Sequence, residues 1–266
     1  MNNIRDILTS MIYEQAESIW QKHLIWSREN KRISGSPRWY NEAGSINVIG
    51  VRCNTEVDFN FGKYNDFLLV VYNTQDGFFR EVIEVTVDPC REKDGIAHLR
   101  QGMWNCYIVG IHGISGPTGG YEVFPGIGRQ ARWCLRQNGD VEIVRTNGKG
   151  TVIKTDRGNF YIDVHDSAGY KDSSLACTIV HYIKDYIAQL LPYLYDVKTG
   201  KKVPVNKDDI TYCLINHSQF EQYYGEEIER EKRAWAVDGI DIFVQGEEPH
   251  KATREDPPLT ITGVQS

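Results

Sequence analysis

The runs Phe67-Leu68-Leu69-Val70-Val71-Tyr72 and Glu81-Val82-Ile83-Glu84-Val85-Thr86-Val87, joined through Asn73-Thr74-Gln75-Asp76-Gly77, decide the fold class of this chain. β-Branched and aromatic residues pack well on a pleated surface, and Asn, Asp and Gly between two such runs predict a hairpin. The same texture repeats over residues 45–164. Residues 131–136 and 141–145 flank Gln137-Asn138-Gly139-Asp140, and Asn-Gly suits the left-handed positions of a tight hairpin turn. Residues 151–154 and 160–164 flank Asp156-Arg157-Gly158-Asn159, which predicts a third hairpin and a strand over 159–164 that ends at His165. The expectation is an antiparallel sheet of local hairpins.

Helical periodicity brackets this β-rich centre. Ile4, Ile7, Leu8, Met11, Ile12 and Ile19 recur at helical spacing, so the first ~22 residues read as an amphipathic helix that docks on the domain or on a partner. A polar connection, Arg32-Ile33-Ser34-Gly35-Ser36-Pro37, leads into the strands. After Cys177, the apolar positions Ile179, Val180, Ile183, Ile187, Leu190, Leu191 and Leu194 follow helical spacing, which places Cys177 near a helix N-terminus. A charged helix is expected over 219–235, a short strand over 240–244, and an extended arm in the tail bearing Pro257-Pro258. The expected organisation is an N-terminal helix and linker (1–44), a β-rich domain (45–197), a C-terminal helical and strand extension (198–245) and a polar tail (246–266).

Composition narrows the function. The 266 residues are 41% hydrophobic and 25% charged, which suffices for a sizeable core. A formal net charge of -6 leaves no global basic field for a phosphate backbone, so nucleic acid is not expected as a partner. No run approaches the ~20 apolar residues that span a bilayer, and Met1-Asn2-Asn3-Ile4-Arg5-Asp6 lacks the features of a secretory leader. Synthesis in the cytoplasm without a signal peptide is expected, with the six scattered cysteines as free thiols.

Chemistry concentrates in Val164-His165-Asp166-Ser167-Ala168-Gly169-Tyr170-Lys171-Asp172-Ser173-Ser174-Leu175-Ala176-Cys177. A thiol attacks as thiolate and an imidazole can take its proton, so Cys and His at the ends of one short loop form the minimal unit for acyl transfer. A helix starting at Cys177 would lower the thiol pKa further. The plain alternative is two ordinary core residues, since both types are often buried without a function. Cys177 with His181, and Cys213 with His217, are spaced i, i+4 and would share a face if helical. With no Cys-x-x-Cys and no His-Glu-x-x-His, neither a metal nor another cofactor is expected.

Five segments in order over residues 46–181 resemble the L,D-transpeptidase catalytic domain, in a divergent form common in phage and gut-bacterial proteins. They are Gly50-Val51-Arg52, Gly95-Ile96-Ala97-His98-Leu99-Arg100-Gln101-Gly102-Met103-Trp104, Val109-Gly110-Ile111-His112-Gly113, Arg136-Gln137-Asn138-Gly139-Asp140, and His165 with Ser174-Leu175-Ala176-Cys177. The resemblance implies an α+β protein, with a mainly antiparallel, β-sandwich-like core between N-terminal and C-terminal helices. It implies that Cys177 attacks the carbonyl of a peptidoglycan stem peptide and that His165 takes the thiol proton and later protonates the leaving amine. Ser174 would shape the loop, and the backbone N–H groups of Ala176 and Cys177 would form an oxyanion hole. His112 and Arg136 match a family His and Arg, for which binding stem-peptide carboxylates and structural hydrogen bonding are equal alternatives. The chain departs from the family pattern at Ala176, where Gly is usual, at Thr178, where cellular members carry Arg beyond the cysteine, and at Asp166-Ser167, which replace Gly-Thr.

Three functions stay open on this reading. One is a cysteine transpeptidase or peptidase acting on peptidoglycan, with a phage origin accounting for the missing leader. Another is a virion structural or assembly protein with an inactive or vestigial site, contacting other virion proteins through its N-terminal helix and C-terminal tail. The third is a module that binds cell-wall peptide without cleaving it.

Overall fold

The computed structural model describes residues 3–53, 64–89, 93–112, 133–166, 177–196 and 198–237. Two helices come first, α1 (Ile4–Ser10) and α2 (Tyr13–Glu29). Eleven strands follow: β1 (Ile33–Ser34), β2 (Ile46–Arg52), β3 (Asp66–Thr74), β4 (Gly77–Thr86), β5 (Ile96–Leu99), β6 (Gly102–Ile111), β7 (Trp133–Gln137), β8 (Val141–Thr146), β9 (Val152–Gly158), β10 (Val164–Asp166) and β11 (Thr178–Val180). A helical segment of α3 (Ile183–Asp185), a π-helical stretch (Tyr186–Leu190) and α4 (Leu191–Leu194) leads to β12 (Tyr195–Asp196), β13 (Lys201–Lys202), β14 (Ile210–Asn216) and α5 (His217–Val237). None of the described helices is long and apolar enough to cross a membrane.

The α+β class is as expected, but the strands do not stack as a sandwich. Eight of them close into a barrel in the order β6-β14-β2-β3-β4-β11-β10-β7, with β7 returning to β6. The cause is the length of β6. Its residues 102–107 pair with β14 and its residues 107–111 pair with β7, so one strand bridges both ends of a twisted sheet and leaves neither end as an edge. Strand β14 comes from the segment read as an extension, yet it is wedged between β6 and β2, parallel to β2. Residues Met1–Ile228 form one compact unit and Glu229–Ser266 another; of the second only the end of α5 is described, where Lys232 pairs with Glu229 at 2.8 Å. The expected strand over 240–244 and the tail lie outside the described residues.

One of the three expected hairpins forms: β3 and β4 pair from Asp66↔Val85 to Thr74↔Gly77. The Asn138-Gly139 segment makes no hairpin, because β7 pairs with β6 and β10 while β8 pairs with β5 and β9. Its glycine serves close approach. A Cβ on Gly139 would lie 2.9 Å from Cys106 Cβ, and Asn138 N–H donates to the Cys106 carbonyl at 2.7 Å. The Asn-Gly that does turn a hairpin is Asn147-Gly148, between β8 and β9, where Asn147 Oδ1 accepts from Lys149 N–H and Thr151 N–H. The expected pairing of 151–154 with 160–164 is replaced by this β8–β9 ladder. The single N-terminal helix is broken at Met11 and Ile12, where Gln15 Oε1 caps Ile12 N–H at 3.2 Å and Arg80 reaches the Met11 carbonyl.

Two apolar clusters hold the unit together. The first fills the barrel with Val48, Val70, Val85, Val109, Leu135 and Val164, joined by Leu99 and Ile143 from the small sheet β5-β8-β9 and by Leu190 and Leu194 from the helical segment. The second lies on the outer side of β2, β3 and β14, where α1, α2 and Phe220 of α5 cover Ile49, Leu69 and Ile215. Inside the barrel, Gly50 makes room for an aromatic ring, since a Cβ there would sit 2.6 Å from Tyr212 Oη. Tyr212 Oη in turn meets Thr178 Oγ1 at 3.0 Å.

One cluster of charge is buried around Arg52. Arg52, fully buried, donates to the Leu99 carbonyl at 2.5 Å and lies 3.2 Å from Asp88 Oδ1, with His98 3.8 Å from the same oxygen. Breaking such a pair leaves an uncompensated buried charge, typically costing about 3–5 kcal/mol. Burial and the neighbouring Asp88 push the Asp66 carboxyl up to about 7, although it accepts hydrogen bonds from Cys53 N–H and Val87 N–H. His23, fully buried under Leu214, is driven down to about 3 by desolvation while its Nε2–H donates to the Leu214 carbonyl.

These two groups tilt stability in opposite directions. Below its unfolded pKa near 6.5, His23 can bind a proton only in the unfolded chain, so its contribution is complete above pH 6.5 and is lost toward about pH 3. Asp66 keeps a proton in the fold that the unfolded chain releases above about pH 3.8, so its contribution is complete at low pH and fades as pH rises toward about 7. His23→Gln should therefore gain about 2 kcal/mol relative to wild type between pH 7 and pH 5, at roughly 1.4 kcal/mol per pH unit below pH 6.5, read from urea midpoints. Parallel curves for the two proteins would refute the assignment of His23. Separately, Gly50→Ala should destabilise by about 1–3 kcal/mol through collision with Tyr212, measured in the same assay.

Candidate functional site

Strand alternation sorts the side chains of β6, β7, β10 and β11. Val109, Leu135, Val164 and Val180 point into the barrel core, which sends Cys134, Arg136, His165 and Ile179 to the outer face. This is the wall opposite in role to the helix-covered one: its outer face carries titratable groups instead of an apolar stripe. Strands β10 and β11 are parallel, with Val164↔Thr178 and His165↔Ile179 in register, and Thr178 N–H donates to the Asp163 carbonyl at 3.0 Å. Cys177 consequently stands beside Asp163, itself two residues along the chain from His165.

The two histidines stack. His112, just beyond β6, lies with its ring centroid 3.7 Å from that of His165 and 19° from parallel. A carbonyl or carboxylate oxygen can only accept, so each Nδ1 carries the proton: His165 Nδ1–H donates to the Asp166 carbonyl at 2.5 Å, and His112 Nδ1–H donates to Asp163 Oδ2 at 2.7 Å. In the neutral rings Nε2 is then the basic atom. The second oxygen of Asp163 accepts from Gln137 N–H at 2.9 Å.

Cys177 does not open a helix. Thr178–Val180 form β11 and the helical segment starts only at Ile183, because Ile179 and Val180 are claimed by pairing with Thr86 and Val85 of β4. The expected lowering of the thiol pKa by a helix end is therefore absent. Burial, together with the charge of Asp163, pushes the thiol up to about 12, only partly offset by a hydrogen bond from the Asp163 backbone. Its Sγ–H donates to the Tyr161 carbonyl at 3.4 Å. The resting group is thus a protonated thiol held by a backbone oxygen, and any attack requires a proton acceptor at the moment it turns away.

The turn that presents Tyr161 replaces the expected strand over 159–163. Tyr161 adopts φ +58°, a left-handed conformation that costs a bulky residue on the order of 1–3 kcal/mol, and its side chain is 63% exposed. Asn159 Oδ1 accepts from Tyr161 N–H at 3.2 Å. Sequence reading missed this turn because Phe-Tyr-Ile-Asp-Val has the composition of a strand; the Asn before it was the available signal.

Arg136 lies on the same face, one strand from the cluster. Its aliphatic stem covers Gly110, where a Cβ would come within 2.9 Å of Arg136 Cβ, and its guanidinium approaches the Ile111 carbonyl at 3.4 Å. Ser174 and Ala176 lie outside the described residues. Neither i, i+4 pair shares a helix face: β11 separates Cys177 from His181, and Cys213 lies within β14 while His217 begins α5. Along β6 from this cluster, a groove of about 600 Å³ is lined by Ser34, Asn105, Cys106, Asn138, Asp140 and Arg157.

The chain matches no family model, no curated protein and no solved structure.

The charge of Asp163 gives a direct test of what holds the thiol protonated. Asp163→Asn should lower the Cys177 pKa and raise its alkylation by iodoacetamide near pH 8.5, roughly tenfold for each unit lowered, while fully buried Cys213 stays unreactive. An unchanged Cys177 rate, followed by mass spectrometry of its peptide, would leave burial alone as the cause.

Proposed function

We propose that this chain carries out cysteine-dependent acyl transfer or hydrolysis on peptidoglycan stem peptides, with Cys177 as nucleophile. The observation that carries the reading is the convergence of Cys177, His165, His112 and Asp163 on one outer wall of the barrel, brought there by β6, β10 and β11. Nucleophile, base and carboxylate in one place are what thiol acyl transfer needs. The order of the five motif segments and their resemblance to the L,D-transpeptidase domain supply the substrate class.

The chemistry runs in two halves. Cys177 Sγ turns from the Tyr161 carbonyl, its proton passes to His165 Nε2, and a C–S bond forms at the stem-peptide carbonyl. The C–N bond then breaks as the leaving amine takes that proton. In the second half an amine or water attacks the thioester, its proton returns through an imidazole, and the C–S bond breaks to regenerate the thiol. His165 suits the first transfer because its Nδ1–H is fixed on the Asp166 carbonyl, which makes Nε2 the basic atom of the neutral ring. His112, anchored on Asp163, fits the second imidazole role better than that of a simple carboxylate binder.

A second reading is a virion structural or assembly protein in which the site is vestigial. It is favoured by the high thiol pKa and by the thiol bond to a backbone carbonyl instead of an imidazole. Digests of purified peptidoglycan separate the two. Wild type should release or cross-link muropeptides detectable by mass spectrometry, and Cys177→Ala and His165→Ala should each lose at least about 100-fold of that activity. Folded wild-type protein that leaves several cell walls unchanged would transfer the assignment to the structural role.

A further inference from the structure

We propose that Gln137 is a positioning residue for the Cys177 thiol, acting through the turn at residues 158–163. The proposal rests on the acyl-transfer reading only for what the thiol does once it is positioned.

Gln137 ends β7 with its side chain 1% exposed and its whole amide in use. Its Oε1 accepts from Ile162 N–H at 2.8 Å and Phe160 N–H at 3.2 Å, and its Nε2 donates to the Gly139 carbonyl at 2.6 Å and the Gly158 carbonyl at 3.1 Å. Its backbone N–H holds Asp163 Oδ1. An amide offers two acceptor sites and two donors, so this side chain is saturated by main-chain partners, three of them along the 158–163 turn and the fourth at Gly139. Two elements of the site hang on that turn: the Tyr161 carbonyl, which receives the Cys177 thiol, and the Asp163 carboxylate, which holds His112. The left-handed conformation of Tyr161 needs such bracing, because the N–H groups of its two neighbours are the ones Gln137 captures. No other residue type repeats the pattern: Asn is one methylene too short, Leu has the bulk without the bonds, and Glu meets two carbonyl oxygens with a charge.

The test is thiol reactivity at Cys177, read by mass spectrometry after brief exposure to methyl methanethiosulfonate. Gln137→Leu is expected to raise Cys177 modification at least tenfold, while the fully buried Cys134 and Cys213 stay protected. Gln137→Glu distinguishes positioning from bulk stability. As a neutral acid it keeps an acceptor and one O–H donor, and as a carboxylate it loses both donors. Its Cys177 rate relative to wild type should therefore be near one at about pH 5 and climb toward the Gln137→Leu value by about pH 9. Equal rates for Cys177 in wild type and both variants would overturn the proposal, as would parallel gains at Cys134 and Cys213. Should Gln137→Leu fail to fold, the pH dependence of Gln137→Glu decides alone. Muropeptide turnover, measured on the same wild-type and Gln137→Glu samples, judges the acyl-transfer reading separately, since thiol reactivity needs no turnover.

Discussion

Closure of the barrel depends on one strand serving two partners. Tyr107 is the residue at which β6 changes hands, paired with Ile210 of β14 and with Gln137 of β7. Because both sides of β6 are in use there, the ends of β14 and β7 are fixed relative to each other through β6. Side-chain fit follows from that geometry: Tyr107 and Tyr212 meet edge to face inside the ring, and Gly50 leaves the space that Tyr212 fills. A shorter β6 would give an open sheet whose first and last strands each needed separate protection.

The same closure dictates where polar chemistry can live. Apolar helices occupy the outer face of β2, β3 and β14, so the outer face of β7, β10 and β11 is where buried and half-buried titratable groups gather. There the desolvation that packs Cys177 also neutralises it, and a carboxylate beside it adds to the effect. A site of this kind trades standing reactivity for protection. Its surroundings hold the thiol protonated, and the stacked His112 and His165 rings, each with its Nδ1 proton fixed, belong to the same wall.

How much of this was legible beforehand follows from the range of each interaction. The β3–β4 hairpin was readable because its strands, turn and register all lie within one short segment. The barrel was not, since β14 pairs with β6 and β2 across more than a hundred residues and Ile210–Asn216 carries no local mark of such partners. Asn138-Gly139 misled because glycine answers two different needs, a left-handed turn and close backbone approach, and only the partner strand tells which applies. Within the candidate cluster, Cys177 and His165 stood out as a thiol and an imidazole at the ends of one loop, and His112 and Arg136 from the order of the motif segments. Asp163 and Gln137 carried no such mark, because what they do consists of bonds to main-chain groups and ring nitrogens that no spacing rule encodes. The run of apolar residues after Cys177 fits a helix and a strand equally, and pairing with β4 decided in favour of the strand.

Strand order also governs how the molecule is made. The parallel pairing of β2 with β14 joins residues 46–52 to residues 210–216, so the ring stays open until translation has passed the last of these positions. Until then β2 and the first half of β6 each present the side that β14 will pair with, while ladders such as β2–β3, β3–β4 and β8–β9 can form from strands adjacent in the chain. Such non-local topology folds slowly and exposes sticky edges for longer than a protein built of hairpins alone. The α1 and α2 segments, synthesised first, have no finished wall to rest on during that interval, and their apolar faces must wait for a surface that the end of the ring supplies.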